Sequence, residues 1–135
     1  MTTNRGPWSI IAVLILTLAA CSPGVPSPSA PPGTGLAITA VAGPVCPVER
    51  IPPDPACAPR TVAGATVIIE NSEQTNVATV VLDAQGAVVV SLPAGNYVVQ
   101  PQPVTGLMGT AAATNVVVVD GALTPVVLSY DTGIR

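Results

Sequence analysis

The sequence predicts an all-β domain, and its composition supports that prediction in three ways. Hydrophobic residues make up 49% of the chain and charged residues only 8%, so a packed core is easily supplied. Much of the apolar content is Val, whose branched side chain packs well on a pleated surface and favours strands. The 16 Pro and 12 Gly interrupt the apolar segments, and both residues disfavour helix interiors. The length of 135 residues suits one domain.

Residues 1–20 have the organisation of a bacterial export signal. The cation Arg5 precedes a mostly apolar segment, Trp8–Ala20, which is shorter than the ~20 residues that span a bilayer. This segment ends in Leu-Ala-Ala-Cys, which resembles the lipobox of bacterial lipoproteins. The resemblance implies cleavage before Cys21 and a lipid, palmitate included, on that residue. An ordinary signal peptide, or a short membrane helix with an incidental Cys, is the alternative.

Residues 21–35 are predicted to form a tether between the lipidated Cys21 and the domain. Five of the fourteen residues from Ser22 to Gly35 are Pro, and almost none could join a core. Such a segment is typically disordered or polyproline-like, and at about 3.1 Å per residue it would reach up to ~43 Å. We expect a flexible tether at the cell membrane or outer membrane, with the domain outside the cytoplasm. The alternative is a proline-motif ligand.

Seven short segments of residues 36–135 have the composition of strands, and turn residues separate them. Asp83–Gly86 predicts a hairpin between the third and fourth segments, and Asp120-Gly121 predicts another between the last two. Four consecutive Val residues, 116–119, are apolar on both faces and predict a central strand. The pattern as a whole predicts a seven-stranded antiparallel β-sandwich. Its segments are Leu36–Ala42, Ala65–Glu70, Val77–Leu82, Ala87–Leu92, Asn96–Gln100, Asn115–Asp120 and Pro125–Tyr130.

The segment from Asp83 to Val99 carries a family resemblance. It contains an Asp, a Gly turn, a short strand, Leu92 and then Pro-Ala-Gly-Asn-Tyr-Val-Val. This order resembles the carboxypeptidase regulatory-like domains, which are transthyretin-like (prealbumin-like) β-sandwiches. The resemblance implies that fold for most of residues 36–135, with the ring of Tyr97 packed against a sheet. Val88 stands where an aromatic residue is common, and the fold alone does not fix a function.

Cys46 and Cys57 remain once Cys21 is assigned to the lipid. Export places them in a compartment that permits disulfides, and a bridge would close the Pro-rich loop 47–56. Free thiols are the alternative. A metal site would need about four ligands, and a thiol nucleophile would need a nearby base such as His, which the sequence lacks. We expect a disulfide.

The bridge would pin the base of a Pro-rich excursion, 43–60, between the first two strands. Pro cannot donate to a strand ladder, so the excursion is not predicted to pair. We expect Val48 or Ile51 to rest against the edge of the sandwich. An exposed tip would then carry Glu49, Arg50 and Asp54 as a candidate recognition surface.

The charged residues exclude several classes of function. The chain has no Lys, its four Arg are scattered and its net charge is −3, so nucleic acid is not an expected partner. Lys–Asn isopeptide crosslinks occur in related pilus and adhesin domains. They need a lysine amine, which this sequence lacks, so such a crosslink is excluded. The seven acidic residues lie mostly at turns and lack the spacing of a calcium loop. We predict no catalytic residues, no metal and no cofactor.

These observations predict a non-enzymatic, lipid-anchored β-sandwich module of the cell surface with a structural or protein-binding role. The alternative is an accessory subunit or inhibitor that presents the disulfide-bridged loop 43–60 to an exported enzyme or receptor. The expected partners are the membrane, through the N-terminal lipid, and an envelope protein.

Overall fold

The computed structural model describes residues 33–48 and 50–135, which form two packed β-sheets. The export signal, Cys21 and the tether up to residue 32 lie outside the described residues, as does Glu49. In the described part, no helix is long and apolar enough to cross a membrane. The strands are β1 (Gly35–Gly43), β2 (Arg60–Thr61), β3 (Thr66–Asn71), β4 (Asn76–Val81), β5 (Ala87–Ser91), β6 (Gly95–Pro101), β7 (Thr114–Val118) and β8 (Leu123–Asp131).

The first sheet is organised around β1. Along one side, β1 pairs in parallel with β8 over nine residues, from Gly35 opposite Leu123 to Gly43 opposite Asp131. Along its other side, β1 pairs antiparallel first with β5 and then, near its end, with β2. The second sheet is antiparallel throughout and has the order β4-β3-β6-β7.

The core lies between the sheets and follows from the alternation of side chains along each strand. On β1, residues 36, 38, 40 and 42 are buried, and on β3 so are Val67 and Ile69. Each fully buried Leu or Ile contributes about 1.5–3 kcal/mol relative to its exposed state. Leu128 and Tyr130 of β8 complete the inner face of the first sheet. These are the contacts that hold the sandwich together.

Tyr97 takes the position that the family resemblance implies. Its ring is buried, and its hydroxyl donates to the carbonyl oxygen of Pro93 at 2.9 Å. Gly95 lies beneath the ring, since a Cβ there would be 3.5 Å from Tyr97 Cε2. The Pro-Ala-Gly turn and the tyrosine thus fix each other where β6 begins.

The predicted all-β sandwich is confirmed, but three predicted details of strand pairing are wrong. The fourth predicted strand, β5, does not pair with β4: it crosses to the first sheet and pairs with β1. The last two predicted strands are not a hairpin either, because β7 belongs to the second sheet and β8 to the first. The β1–β8 pair is parallel rather than antiparallel, and the two-residue β2 makes eight strands.

The turn at Asp83–Gly86 forms as predicted, although it does not join strands of one sheet. Asp83 Oδ1 accepts the backbone N–H groups of Gln85 and Ala87, both at 2.9 Å. Gly86 has a φ of +69°, and a Cβ there would lie 3.0 Å from backbone atoms of Ala40 and Val62. The turn reverses the direction of the chain. Because Gly86 packs against the backbone of β1, the chain leaves the second sheet after β4 and joins the first sheet as β5.

The valines at 116–119 lie at an edge rather than at the centre of a sheet. β7 is the last strand of the second sheet, and Val118 alone of the four is fully buried. Val117 and Val119 are each 58% exposed. Valines on both faces of β7 therefore do not indicate a central strand here. Exposed hydrophobic residues are common on protein surfaces, so such a run also fits an edge strand.

Candidate recognition loop

The Pro-rich loop 43–60 lies at one end of the sandwich, and the N-terminal end of β1 lies at the other. β1 begins at Gly35, just after the first described residues, and the loop begins where β1 ends, at Gly43. Nine strand residues at about 3.3 Å each separate the two ends by roughly 30 Å. The chain entry is fastened by Thr34, whose buried hydroxyl oxygen accepts the N–H of Gly121 at 2.8 Å.

A disulfide joins the two arms of the loop, as predicted. Cys46 and Cys57 have their Cα atoms 5.2 Å apart and their sulfur atoms at bonding distance, 2.08 Å. The arms are also held outside the bridge. Thr132 donates its N–H to the Gly43 carbonyl at 3.2 Å, and Arg60 pairs with Ala42 across the β1–β2 ladder. The loop is thus tied to β1 at both of its ends.

Asp54 has a structural role within the loop. A single 3-10 turn spans Pro55–Cys57, and Asp54 caps it by accepting the N–H of Ala56 on Oδ1 at 2.9 Å. Pro55 at the first position suits such a turn, since its missing N–H would have no partner there. Asp54 is half-buried, so one carboxylate oxygen is committed to the cap while the side chain still reaches the surface. The part of the loop from Asp54 to Cys57 is therefore an ordered, capped turn.

The predicted packing of Val48 or Ile51 against the sandwich edge is wrong. Val48 is 68% exposed and Ile51 is fully exposed. The reason is that β2 and β8 pair with the two sides of β1 where it ends, so β1 leaves no unpaired side there for these side chains to cover. Arg50, from the predicted recognition residues, is exposed, while Glu49 lies outside the described residues.

The loop encloses a hollow that the sequence did not indicate. The hollow has a volume of about 520 Å³ and opens to solvent. Three prolines, 53, 55 and 59, line it together with Arg50, Asp54 and the bridged Cys57. The sequence signal that could have indicated this hollow is the set of prolines on both sides of Cys57. Rigid proline rings in a loop closed by a disulfide cannot all pack together, so they leave space between them.

The same end of the molecule carries an ion pair near the chain terminus. Arg135 contacts Asp131 at 2.7 Å, and this is the one ion pair within residues 33–48 and 50–135. Hydrogen bonds from the Arg135 guanidinium, and then from the Gly133 N–H, lower the pKa of Asp131 to about 2. Both side chains are well exposed, so the pair contributes little to folding.

The remaining titratable groups of residues 33–48 and 50–135 do not form a cluster. Among the described residues, no three His, Cys, Asp or Glu side chains converge as metal ligands would. Tyr130 is buried, which raises its pKa, and its hydroxyl donates to the carbonyl of Gln102 at 3.1 Å. That hydrogen bond ties β8 to the segment after β6 and gives the tyrosine a structural place.

Comparisons with known proteins give a fold and not a family. No family model matches the chain, and no curated protein matches it. Among solved structures, the chain is similar to GBS52, the minor pilin of Streptococcus agalactiae, with 15% identity and a TM-score of 0.56. It is also similar to the TIE protein of Bacillus anthracis, with 19% identity and a TM-score of 0.55. Each match covers 73% of this chain but only 44% and 16% of those proteins, respectively.

Proposed function

We propose that this chain is a non-enzymatic β-sandwich, anchored by a lipid on Cys21 to the outer face of a bacterial membrane, that presents loop 43–60 to an envelope protein. The observation that carries the proposal is the placement of the two ends. The chain enters the sandwich at Gly35, and the bridged loop lies at the far end of the same strand. A lipid attached before Gly35 would therefore leave the loop at the end of the domain that is farther from the point of attachment.

The anchoring part of the proposal is supported by the lipobox-like Leu-Ala-Ala-Cys and the Pro-rich residues that follow it. Two or more acyl chains anchor a protein stably, whereas one binds only marginally. The disulfide is consistent with export, because such bridges persist in oxidising compartments. The fold similarity to a minor pilin supports a structural or binding role rather than an enzymatic one.

A second function, inhibition or support of an exported enzyme or receptor, is favoured by the loop itself. A loop held by a disulfide and prolines loses less entropy on binding, which is how many compact inhibitors gain affinity. In that case the partner would be an enzyme or receptor instead of a structural envelope protein.

The anchor is tested by the Cys21→Ser substitution. The variant should leave the membrane fraction or remain uncleaved, whereas Cys46→Ser, a matched control at a cysteine of the loop, should stay anchored. Metabolic labelling with an alkyne fatty acid should mark the wild type and Cys46→Ser but not Cys21→Ser. A Cys21→Ser protein that is processed and partitions like the wild type would refute lipid anchoring.

The presented loop is tested by photocrosslinking in intact cells. A photoreactive residue placed at the exposed Ile51 should give a discrete adduct with an envelope protein, because the side chain contacts nothing in the sandwich. The same residue placed at exposed Ser72, in the β3–β4 turn at the opposite end, is the control and should not give that adduct. Equal crosslinking from both positions would contradict presentation by the loop.

A further inference from the structure

We propose that the peptide bond between Arg50 and Ile51 is a site of limited proteolysis, the one bond of the folded domain that a protease specific for arginine cuts. The Cys46–Cys57 bridge would then keep the cut molecule in one piece. The cut needs neither the lipid anchor nor an envelope partner, so it goes beyond the proposed function. Three features carry the proposal: where the basic residues lie, how exposed the bond is, and which covalent link spans it.

The distribution of basic residues leaves two candidate bonds in the domain. The sequence has no Lys, and its four Arg are residues 5, 50, 60 and 135. The first of these precedes the domain, and no bond of the sequence follows the last. A protease whose specificity pocket carries an acidic group binds a basic side chain and cuts the bond that follows it. Within the domain, such an enzyme can therefore act only after Arg50 or after Arg60.

The Arg50–Ile51 bond lies where an enzyme can reach it. Both side chains are exposed, and that of Ile51 is fully so. Neither residue belongs to a strand or to the 3-10 turn, and the two residues that follow, Pro52 and Pro53, are exposed as well. Exposed loop tips are the preferred sites of proteolytic cutting, because the chain there can enter an active site without breaking backbone pairs.

The Arg60–Thr61 bond is instead held within a sheet. Both residues form β2 and pair with the end of β1. The next residue, Val62, continues this attachment by donating its N–H to the carbonyl oxygen of Ala40 at 3.0 Å. A cut after Arg60 would require β2 to leave β1, which is a local unfolding event, whereas a cut after Arg50 disturbs no strand. The backbone around the two arginines thus distinguishes them, since both side chains are exposed.

The disulfide spans the proposed cut. Cys46 precedes Arg50 and Cys57 follows Ile51, so the two pieces stay joined through their sulfur atoms. The reaction consumes one water: the C–N bond breaks, Arg50 gains a carboxylate and Ile51 gains an ammonium group. The piece that ends at Arg50 contains β1, which pairs with β2, β5 and β8 of the other piece. After the cut, the sandwich is therefore held by the bridge and by its own strand pairs.

The cut would change the loop while leaving the domain in place. It opens the covalent ring that the bridge closes, so the residues between the cysteines gain conformational freedom. A loop with more freedom loses more entropy when it binds, which weakens its affinity for a partner. Under the proposed function, proteolysis after Arg50 would therefore reduce binding by loop 43–60 without releasing the sandwich.

The test uses the full chain in detergent micelles, with trypsin as the probe protease and mass spectrometry to locate each cut. We expect one early cut within the domain, after Arg50, that gives a single band before reduction and two bands after it. A cut after Arg5 is recognised by its mass. In urea with reductant, the chain should be cut after Arg60 as well, because unfolding removes the protection that β2 gives.

Three variants separate the site from its surroundings. Arg50→Gln should slow the early cut by about a hundredfold or more, because the specificity pocket loses its charged partner. Arg50→Lys keeps a positive charge and should still be cut. Arg60→Gln is the matched control at an exposed arginine within β2, and it should be cut at the wild-type rate.

The proposal is overturned by any of three results: no cut within the folded domain, a first cut after Arg60, or cutting of Arg50→Gln at the wild-type rate. Pieces that separate without reductant would overturn the role of the bridge. Crosslinking from residue 51 in cells is scored on uncut protein. A cut after Arg50 without a crosslinked partner would contradict presentation to an envelope protein and support the proteolysis site, and the reverse pair of results would do the opposite.

Discussion

Reduction of the Cys46–Cys57 bridge should lower the stability of the protein without unfolding the sandwich. The bridge closes a sequence separation of 11 residues, for which the loop-entropy relation gives about 3 kcal/mol. Four prolines between the cysteines already restrict the unfolded loop, so we expect about 2–3 kcal/mol. The sandwich should persist because its buried core, from Leu36 to Tyr130, lies outside the loop.

The assay is urea unfolding with and without reductant, followed by far-UV circular dichroism and by tyrosine fluorescence. One cooperative transition should remain after reduction, with a lower midpoint and unchanged β-type dichroism at zero urea. The control is the double variant Cys46→Ser and Cys57→Ser. Its unfolding midpoint should equal that of the reduced wild type and should not change when reductant is added. Loss of the transition on reduction would mean that the loop is part of the cooperative core. Unchanged stability would mean that the bridge constrains nothing.

Three further predictions concern single residues. Gly86→Ala should lower the free energy of unfolding by about 2 kcal/mol or more, measured in urea, because the positive φ and the backbone atoms 3.0 Å from a Cβ both oppose a side chain. Gly64→Ala is the control: it has a similar φ but open space around the Cβ, and it should lower the free energy of unfolding by about 1 kcal/mol. Tyr97→Phe should cost about 0.5–1.5 kcal/mol in the same assay, since it removes a hydrogen bond to a backbone carbonyl and little packing. By NMR titration, the Asp131 carboxyl should have a pKa of about 2, and Arg135→Gln should raise that pKa towards about 3.9. Because the folded pKa lies below the unfolded one, the contribution of the pair is complete above about pH 4 and is lost as the pH falls through about 2.

The class of fold and the places of the strands could be predicted from the sequence because they depend on local properties. Alternating burial on β1 and the turn chemistry at Asp83 both arise from a few neighbouring residues. The resemblance around Tyr97 likewise concerned one short segment whose residues touch each other. Each of these features has its signal within a short segment of sequence, so it could be predicted without knowing how the strands pair.

The pairing of strands could not be predicted, because it depends on residues far apart in the chain. The turn before β5 indicates a reversal of direction, but whether β5 pairs with β4 or β1 is decided by packing between the sheets. A run of valines such as 116–119 fits a central strand and an exposed edge equally well. The hollow in the loop was missed for the same reason, since it exists only once the bridge and the 3-10 turn are both in place.

The disulfide was predicted from compartment and count, but the exposure of Val48 and Ile51 was not. The prediction assumed that apolar residues near an edge would cover it. The structure places β2 on that edge instead, through a ladder of only two residue pairs. Ladders this short leave no pattern in a sequence, because two residues carry no periodicity.

The position of the bridged loop at the end of β1 has a mechanical consequence. With the lipid at Cys21 as proposed, a partner that pulls on the loop draws force along β1 to the anchor. β1 is already extended at about 3.3 Å per residue, so it cannot lengthen much further under tension. The tension is carried by the covalent backbone of β1 rather than by the hydrogen bonds between strands. The bridge brings the far arm of the loop into the same path, since Cys57 is bonded to Cys46 only three residues after β1 ends. The two sheets then stand beside the line of force and need not separate when the surface is under load.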